Sequence, residues 1–219
     1  MKPQFLTCKT NGFAPVSVTG SFGEYVDGGE FNGDLKYDFV KNRIFGKFEL
    51  INTRFKNFFV SRAKIISEKE KIYIKADGTY ESENFFCDID ASNKFSKNII
   101  IYKMNMFLNE LIIRKSQNFS SGHTDIASKI KDNDINIENW EVRIGKIKKD
   151  RIVIKNIELN GSLKDNTFRF SMPELKFANG TLTASGRYNF ADASSCIDFA
   201  AKNIDSNTAA DMLFNLPEQ

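Results

Sequence analysis

Apolar and polar residues alternate between short polar turns along this chain, and this pattern constrains the fold more than any other feature. The clearest case is Ile157–Met172 (IELNGSLKDNTFRFSM), which has Asp165-Asn166 at its centre. Both turn residues tolerate the positive φ angles of a two-residue hairpin turn. Folding the chain there brings three apolar pairs onto one face: Leu163 with Phe168, Gly161 with Phe170, and Leu159 with Met172. We therefore predict an antiparallel hairpin with one apolar face and one polar face.

A second hairpin is predicted directly after the first, in Leu175–Phe190 (LKFANGTLTASGRYNF). Asn179-Gly180 is the dipeptide best suited to a two-residue turn, because both residues can take positive φ. A turn at this dipeptide places two apolar pairs on one face: Phe177 with Leu182, and Leu175 with Ala184. This hairpin also has a single apolar side.

The two hairpins share a strand whose apolar positions are even-numbered up to Met172 and odd-numbered from Leu175. An extra residue in a β-bulge would return both sets to one face, and proline is tolerated at bulges. We therefore predict a bulge at Met172–Glu174, which contains Pro173. The three strands then form a meander with one continuous apolar side.

The N-terminal half shows the same alternation in Gly33–Leu50, around Lys41-Asn42. A turn there predicts three pairs: Leu35 with Phe48, Tyr37 with Gly46, and Phe39 with Ile44. Further strands are predicted at Arg54–Ile66, Lys71–Ala76, Tyr80–Ala91, Asn98–Met106, Ile135–Ile144, Arg151–Leu159 and Ser195–Asn203, with a turn at Asp77-Gly78. Trp140, Val142 and Ile144 share one strand face and are predicted to pack in the core, as is Cys87.

Helix is scarce in the sequence. Ser206–Phe214 has helical spacing of its apolar residues, with Ser206 or Asn207 available as the cap, and a second short helix is predicted around Asp125–Lys131. The fold class is therefore mainly β, an antiparallel meander of long hairpins with one or two short helices. Residues 1–219 form a single β-rich region, with one soft boundary candidate in the polar segment 117–136.

Composition and motifs argue against several function classes. The 31 basic and 28 acidic residues give a net charge of +3 without a long basic block, so no nucleic-acid partner is expected. The three cysteines show no metal-binding spacing, and no apolar run is long enough for a transmembrane segment. His123 is the only histidine and lacks the sequence context of a catalytic triad. We expect no enzyme activity, no metal site and no cofactor.

The C-terminal half has a characteristic order of elements. It contains, in turn, Ile152–Leu163 (IVIKNIELNGSL), Phe168-Arg-Phe170, Ala178–Gly186 (ANGTLTASG), Ile197–Asp205 (IDFAAKNID) and Ala209–Phe214 (AADMLF). This succession, in which a strand ending in Asn-Ile-Asp precedes a short helix, resembles the C-terminal region of AsmA-like proteins of Gram-negative envelopes. Ile99–Ile113 (IIIYKMNMFLNELII) has a similar character.

The resemblance implies a segment of a longer protein that is anchored in the inner membrane and extends into the periplasm. The anchor itself would lie outside these 219 residues. It also implies a curved, taco-shaped β-groove, related to that of TamB-like proteins, and a part in lipid transport between membranes and in outer-membrane assembly. The expected partners are a phospholipid or other acyl-chain lipid and the rest of the longer chain.

The apolar face of the meander admits two functions. Its nominated lining residues are Leu159, Phe168, Phe170, Leu175, Phe177, Leu182, Ala184, Tyr188 and Phe190. In a lipid groove they would desolvate acyl chains, at about 0.8 kcal/mol per buried methylene. In a structural or protein-interaction β-sandwich they would form a closed core without a ligand. Alternation is the same in both cases, so both hypotheses remain open at this point.

Overall fold

The computed structural model describes residues 5–9, 14–15, 18–20, 23–26, 28–55, 58–80, 83–94, 99–112, 135–149 and 152–214. These residues form a succession of strands that ends in one short helix. The elements are β1 (Phe5–Lys9), β2 (Ala14–Pro15), β3 (Val18–Gly20), β4 (Gly23–Val26), β5 (Glu30–Asp38), β6 (Arg43–Phe55), β7 (Phe58–Glu68), β8 (Lys71–Tyr80), β9 (Glu83–Ser92), β10 (Ile100–Ile112), β11 (Asn136–Lys149), β12 (Ile152–Lys164), β13 (Thr167–Phe177), β14 (Gly180–Asn189), β15 (Ser195–Lys202) and α1 (Ser206–Phe214).

Within the described residues, thirteen strands form one large sheet in the order β1-β5-β6-β7-β8-β9-β10-β11-β12-β13-β14-β15, with β2 also paired to β5. The strands β3 and β4 form a separate pair. The large sheet is open, because β1 and β15 are not paired with each other. The predicted fold class, a mainly β meander forming a curved, groove-like sheet, is confirmed. Strands from both sides of segment 117–136 belong to this one sheet.

One neighbouring pair departs from the predicted antiparallel meander. The strands β10 and β11 run parallel, with Met104 beside Trp140 and Leu108 beside Ile144. Parallel neighbours need a crossover of about a dozen residues or more, rather than a tight turn. The chain between Ile112 and Asn136 is longer than that. It includes residues 113–134, which lie outside the described residues, and with them the predicted helix around Asp125–Lys131.

The hairpin at Asp165-Asn166 is confirmed. Both turn residues have positive φ, 51° and 58°, and Leu163 pairs with Phe168 as Gly161 does with Phe170. The predicted bulge is confirmed as well, because the register between β13 and β14 shifts between Met172 and Leu175. Both predictions rest on local chemistry: turn residues that tolerate positive φ, and an alternation that changes phase at a proline.

The predicted turn at Asn179-Gly180 is wrong by one residue. The left-handed residues are Ala178 and Asn179, with φ of 45° and 64°, so Leu175 pairs with Leu182 and Phe177 with Gly180. Alanine resists this conformation, but Ala178 is buried and its carbonyl accepts a hydrogen bond from the Asp205 amide at 2.9 Å. This tertiary contact helps to hold the turn where it is. Pairing shifts by two residues, so the apolar residues keep their face.

The predicted register of the Gly33–Leu50 hairpin is also shifted by two residues. Leu35 lies opposite Gly46 and Tyr37 opposite Ile44, because the turn takes four residues, 39–42. The Asp38 carboxylate starts this turn by accepting hydrogen bonds from the amides of Val40 and Lys41, at 2.9 and 3.0 Å.

The predicted turn at Asp77-Gly78 is wrong. Both residues lie inside β8, where Gly78 pairs with Val60 on one side and with Phe85 on the other.

The helix α1 confirms the prediction at Ser206–Phe214, but its cap differs from the expected one. The Asp205 carboxylate accepts a hydrogen bond from the Thr208 amide at 2.8 Å, which makes Asp205 the N-cap residue. This bond also lowers the pKa of Asp205. The helix therefore begins one residue after its cap, as the usual geometry requires.

The core lies on one side of the large sheet. Its buried members come from the neighbouring strands β7 to β13: Val60, Ala63, Ala76, Phe85, Cys87, Leu108, Ile144, Ile157 and Leu175. Burial alternates along β7, where Ala63 and Ile65 are buried while Lys64 and Ile66 are exposed. In a curved sheet the side chains on the concave side converge, so one face can be crowded without a second sheet. We call the side of the sheet on which the core residues lie the apolar face.

Candidate binding site on the apolar face

The apolar face is the best candidate for a functional site, because an uninterrupted row of apolar residues crosses it. Following directly paired residues from β5 to β15 gives Gly33, Phe48, Ile65, Ile74, Ile89, Met104, Trp140, Gly161, Phe170, Gly186 and Ile197. No member of this row carries a polar group except the indole N–H of Trp140. We call it the Trp140 row.

A second row runs beside the first, over the strands β5 to β12. Its directly paired members are Phe31, Leu50, Ala63, Ala76, Cys87, Met106, Val142 and Leu159. Neighbouring strands are about 4.8 Å apart, so the ten spacings of the Trp140 row span about 48 Å. The two rows together form a long apolar strip across the sheet.

Aromatic rings lie over glycines where the Trp140 row crosses the C-terminal strands. Trp140 is buried and stacks on Phe168, two strands away, with 5.3 Å between ring centroids. The intervening residue is Gly161, where a Cβ atom would lie 2.7 Å from Cζ2 of Trp140. Likewise, a Cβ on Gly186 would lie 2.5 Å from Cε1 of Phe170. The glycines therefore give these rings the room to lie flat along the sheet.

The structure brings most of the nominated lining residues together on the apolar face. Leu175 is buried in the core cluster, with Leu159 and Leu182 packed against it. Phe168, Phe170 and Ala184 are half-buried on the same face, with Tyr188 at its exposed margin. The remaining two lie at strand ends: Phe177 pairs with Gly180 beside the turn, and Phe190 follows β14 with its ring 4.9 Å from that of Tyr188.

The nominated set covered only the C-terminal strands, whereas the apolar face extends to β5. Phe48, Ile65, Ile74, Ile89 and Met104 continue the Trp140 row through the N-terminal half. The alternation of Gly33–Leu50 was the available signal for this extension. The confirmed placement of Trp140, Val142 and Ile144 on one strand links the two halves across the parallel pair.

The alternation shifts by one residue where β10, β11 and β12 approach their ends. Leu111 and Ile147 pack against the same cluster as Leu108 and Ile144, three residues earlier in each strand. In β12 the corresponding irregularity is Asn156, with φ of 55°. The register between these strands does not shift here, so the change occurs in all three strands together and keeps the apolar face continuous.

Glu110 is a buried carboxylate that the sequence did not single out. It forms ion pairs with Lys146 and with Lys148, the latter at 2.8 Å. Hydrogen bonding to Lys146, and then to Lys148, lowers the pKa of Glu110, and the same contact raises the pKa of Lys148. The two lysines thus hold the Glu110 carboxylate in its ionised form.

The polar face carries paired charges rather than a cluster that could bind a metal. Arg62 contacts Glu49 at 2.7 Å, and Lys71 contacts Asp90 at 3.2 Å. The Asp90 contact raises the pKa of Lys71. Among the residues described here, no group of three or more metal-ligating side chains is found. His123 lies outside the described residues.

The apolar face is uncovered at its C-terminal margin. Ile197 and Phe199, on the edge strand β15, are 67% and 76% exposed. In the part of the chain that the structure describes, the large sheet faces no second large sheet. None of the described helices has the length and apolar character needed to cross a membrane.

Comparison with known proteins gives no family for this chain. No protein-family model matches it, and no curated protein matches it significantly. The geometry of the site offers apolar contact along a strip and few polar groups that could orient a small polar ligand.

Proposed function

We propose that the apolar face binds the acyl chains of lipids, and that the protein handles lipid by binding, without covalent chemistry. The observation that supports this most strongly is the Trp140 row, which crosses all the strands from β5 to β15 without a charged side chain. An apolar strip of this extent is unfavourable in water, which supports the proposal that another apolar molecule covers it.

The dimensions and lining of the strip favour acyl chains over a compact ligand. The acyl chains of one bilayer leaflet span about 15 Å, half of a hydrocarbon core of about 30 Å, whereas the strip spans about 48 Å. It could therefore hold several chains, or let one chain move along it. Met104 and Met106 lie in the middle, and methionine adapts to ligands of variable shape. A small-molecule pocket would instead present a few convergent polar groups.

The resemblance to AsmA-like proteins supports a location for this activity. We propose that the chain is part of a cell-envelope protein, in the periplasm of a Gram-negative bacterium, and that it contributes to lipid transport and outer-membrane assembly. In this proposal the membrane anchor belongs to the remainder of a longer protein. The primary partner is a phospholipid, through its acyl chains.

The alternative function, a structural or protein-interaction domain with a closed core, requires a protein layer over the apolar face. The large sheet has no facing sheet within the described ranges. The exposed Phe199 and Ile197 show that the margin at β15 is uncovered by those ranges. These observations favour the lipid-binding proposal.

Trp140 provides a direct test, because it is the only tryptophan and lies on the apolar face. Purified protein would be mixed with vesicles of a phospholipid whose acyl chains carry bromine, a contact quencher of tryptophan fluorescence. We expect weaker Trp140 fluorescence with these vesicles than with vesicles of the same phospholipid without bromine. Native mass spectrometry of the same mixture would identify the bound phospholipid.

Two neighbours on β13 give a matched pair of variants. Phe170→Asp places a charge in the Trp140 row, whereas Ser171→Asp places it on the opposite face of the same strand. We expect loss of quenching in F170D and retention in S171D, with both variants folded by circular dichroism. Should F170D fail to fold, Tyr188→Asp, at the exposed margin, takes its place. Equal fluorescence with both lipids and a lipid-free mass would overturn the proposal.

A further inference from the structure

We propose that the edge strand β15 pairs with β15 of a second copy of this chain. The two strands would run antiparallel about a twofold axis at Ala200 and extend the sheet into a dimer. The inference stands on the geometry of the edge and does not depend on lipid binding.

The backbone of β15 offers a free row of hydrogen-bonding groups. The Asn189 amide donates to the Ser194 carbonyl at 2.9 Å, so the hydrogen-bonded pairs with β14 fall on Ser194 and every second residue after it. The residues between them direct their N–H and C=O groups away from β14: Ser195, Ile197, Phe199 and Ala201. Within the described chain no strand pairs with this side of β15.

The edge also lacks most of the features that usually prevent pairing. Edge strands are commonly shielded by proline, a bulge, a covering element or charged side chains, and of these β15 has only the charges of Asp198 and Lys202. The strand β15 (SCIDFAAK) contains no proline, its register with β14 is regular, and all eight residues are exposed. The helix α1 does not shield it, because the start of α1 is held at the turn between β13 and β14. There the Asp205 amide donates to the Ala178 carbonyl, and the Asn179 side-chain amide donates to the Thr208 hydroxyl.

The side chains are complementary to a second copy of themselves in this register. With the axis at Ala200, Asp198 lies opposite Lys202 of the second copy, and the same ion pair forms again on the other side of the axis. Neither side chain forms an ion pair among the described residues. On the apolar face, Phe199 lies opposite Ala201, a large residue beside a small one, as Phe170 lies beside Gly186. A second copy therefore fits both faces of the strand.

Charge reversal tests the register. Asp198→Lys or Lys202→Asp alone would place like charges opposite each other, so we expect each variant to be monomeric at concentrations where the unmodified chain dimerises. Mixing the D198K and K202D chains would restore opposite charges at both positions and give a heterodimer. Size-exclusion chromatography with light scattering measures the oligomeric state of each variant alone and of their mixture. Circular dichroism checks that each variant is folded.

A cysteine at the axis gives a second, independent measurement. Ala200 would face its counterpart in a non-hydrogen-bonded pair, where Cα atoms are about 4.5 Å apart, within the range of a disulfide. We expect Ala200→Cys to form a disulfide-linked dimer under mild oxidation. The unmodified chain is the matched control, because its exposed Cys196 lies four residues from the axis. The proposal would be overturned if the unmodified chain is monomeric, or if A200C cross-links no more than this control. Pairing of β15 with another protein segment would also overturn it.

Discussion

The indole of Trp140 lies parallel to the ring of Phe168, with 5° between their planes, although a whole strand separates the two residues. The contact is possible because Gly161, on that intervening strand, has no side chain. Stacking between next-nearest strands joins β11, β12 and β13 on the apolar face. This arrangement leads to the first prediction.

Gly161→Ala is expected to destabilise the protein by about 1–3 kcal/mol, as overpacking of a filled site does. The new Cβ would lie 2.7 Å from the Trp140 ring and 1.9 Å from the carbonyl oxygen of Arg169, which belongs to the backbone and cannot move freely. Urea denaturation followed by circular dichroism measures the change, and Trp140 fluorescence reports the displaced ring. Ser162→Ala, on the opposite face of β12, should leave both quantities nearly unchanged.

Asn93→Ala is expected to lower the free energy of unfolding by about 1–3 kcal/mol, because it removes a fully buried donor. The Asn93 side-chain amide donates to the carbonyls of Lys69 and Ile44, at 2.9 and 3.2 Å, and so joins the end of β9 to the turn between β7 and β8 and to the start of β6. Chemical denaturation measures the loss. The exposed Asn84 supplies the control, and an equal effect of Asn84→Ala would contradict this explanation.

The charges around Glu110 predict a pH dependence. Its pKa is lowered in the folded protein by Lys146 and Lys148, so folding favours the ionised carboxylate. The stabilisation is present above the ordinary pKa of a glutamate and is lost as the pH falls through the lowered value. Unfolding free energies measured from neutral to acidic pH should therefore fall less steeply in Glu110→Gln than in the unmodified protein. Glu174→Gln, which alters the exposed pair with Lys176, should keep the unmodified slope.

Cys87 and Cys196 should differ in reactivity. Burial, and then the neighbouring charge of Asp88, raises the pKa of Cys87, so little thiolate forms. Cys196 is exposed. In a Cys8→Ser background at mildly alkaline pH, iodoacetamide should modify Cys196 quickly and Cys87 only after urea is added, as peptide mass spectrometry would show. Equal labelling of both thiols in the folded protein would contradict the buried position of Cys87.

Local chemistry was sufficient for part of the fold. The Asp165-Asn166 turn and the bulge after Met172 follow from residues that are close in sequence, and both are confirmed. The apolar side of the C-terminal strands follows from the same alternation. It holds even where the turn was misplaced, because a two-residue shift in pairing leaves every side chain on its original face.

Two features depended on contacts distant in sequence. The turn at Ala178-Asn179 is held in part by the amide of Asp205, in the segment that leads into α1. The parallel pairing of Met104 with Trp140 depends on a crossover, and alternation carries no information about strand direction. Sequence periodicity therefore predicted strands and faces more reliably than connections.

The sequence by itself determined that the chain forms long strands with one apolar face, because period-two alternation leaves a strand no other way to segregate its side chains. Only the tertiary structure decided that these strands join in one open, curved sheet. A strand in a groove and a strand in a closed core bury the same alternate residues. The difference lies in what faces them, and that depends on the path of the whole chain.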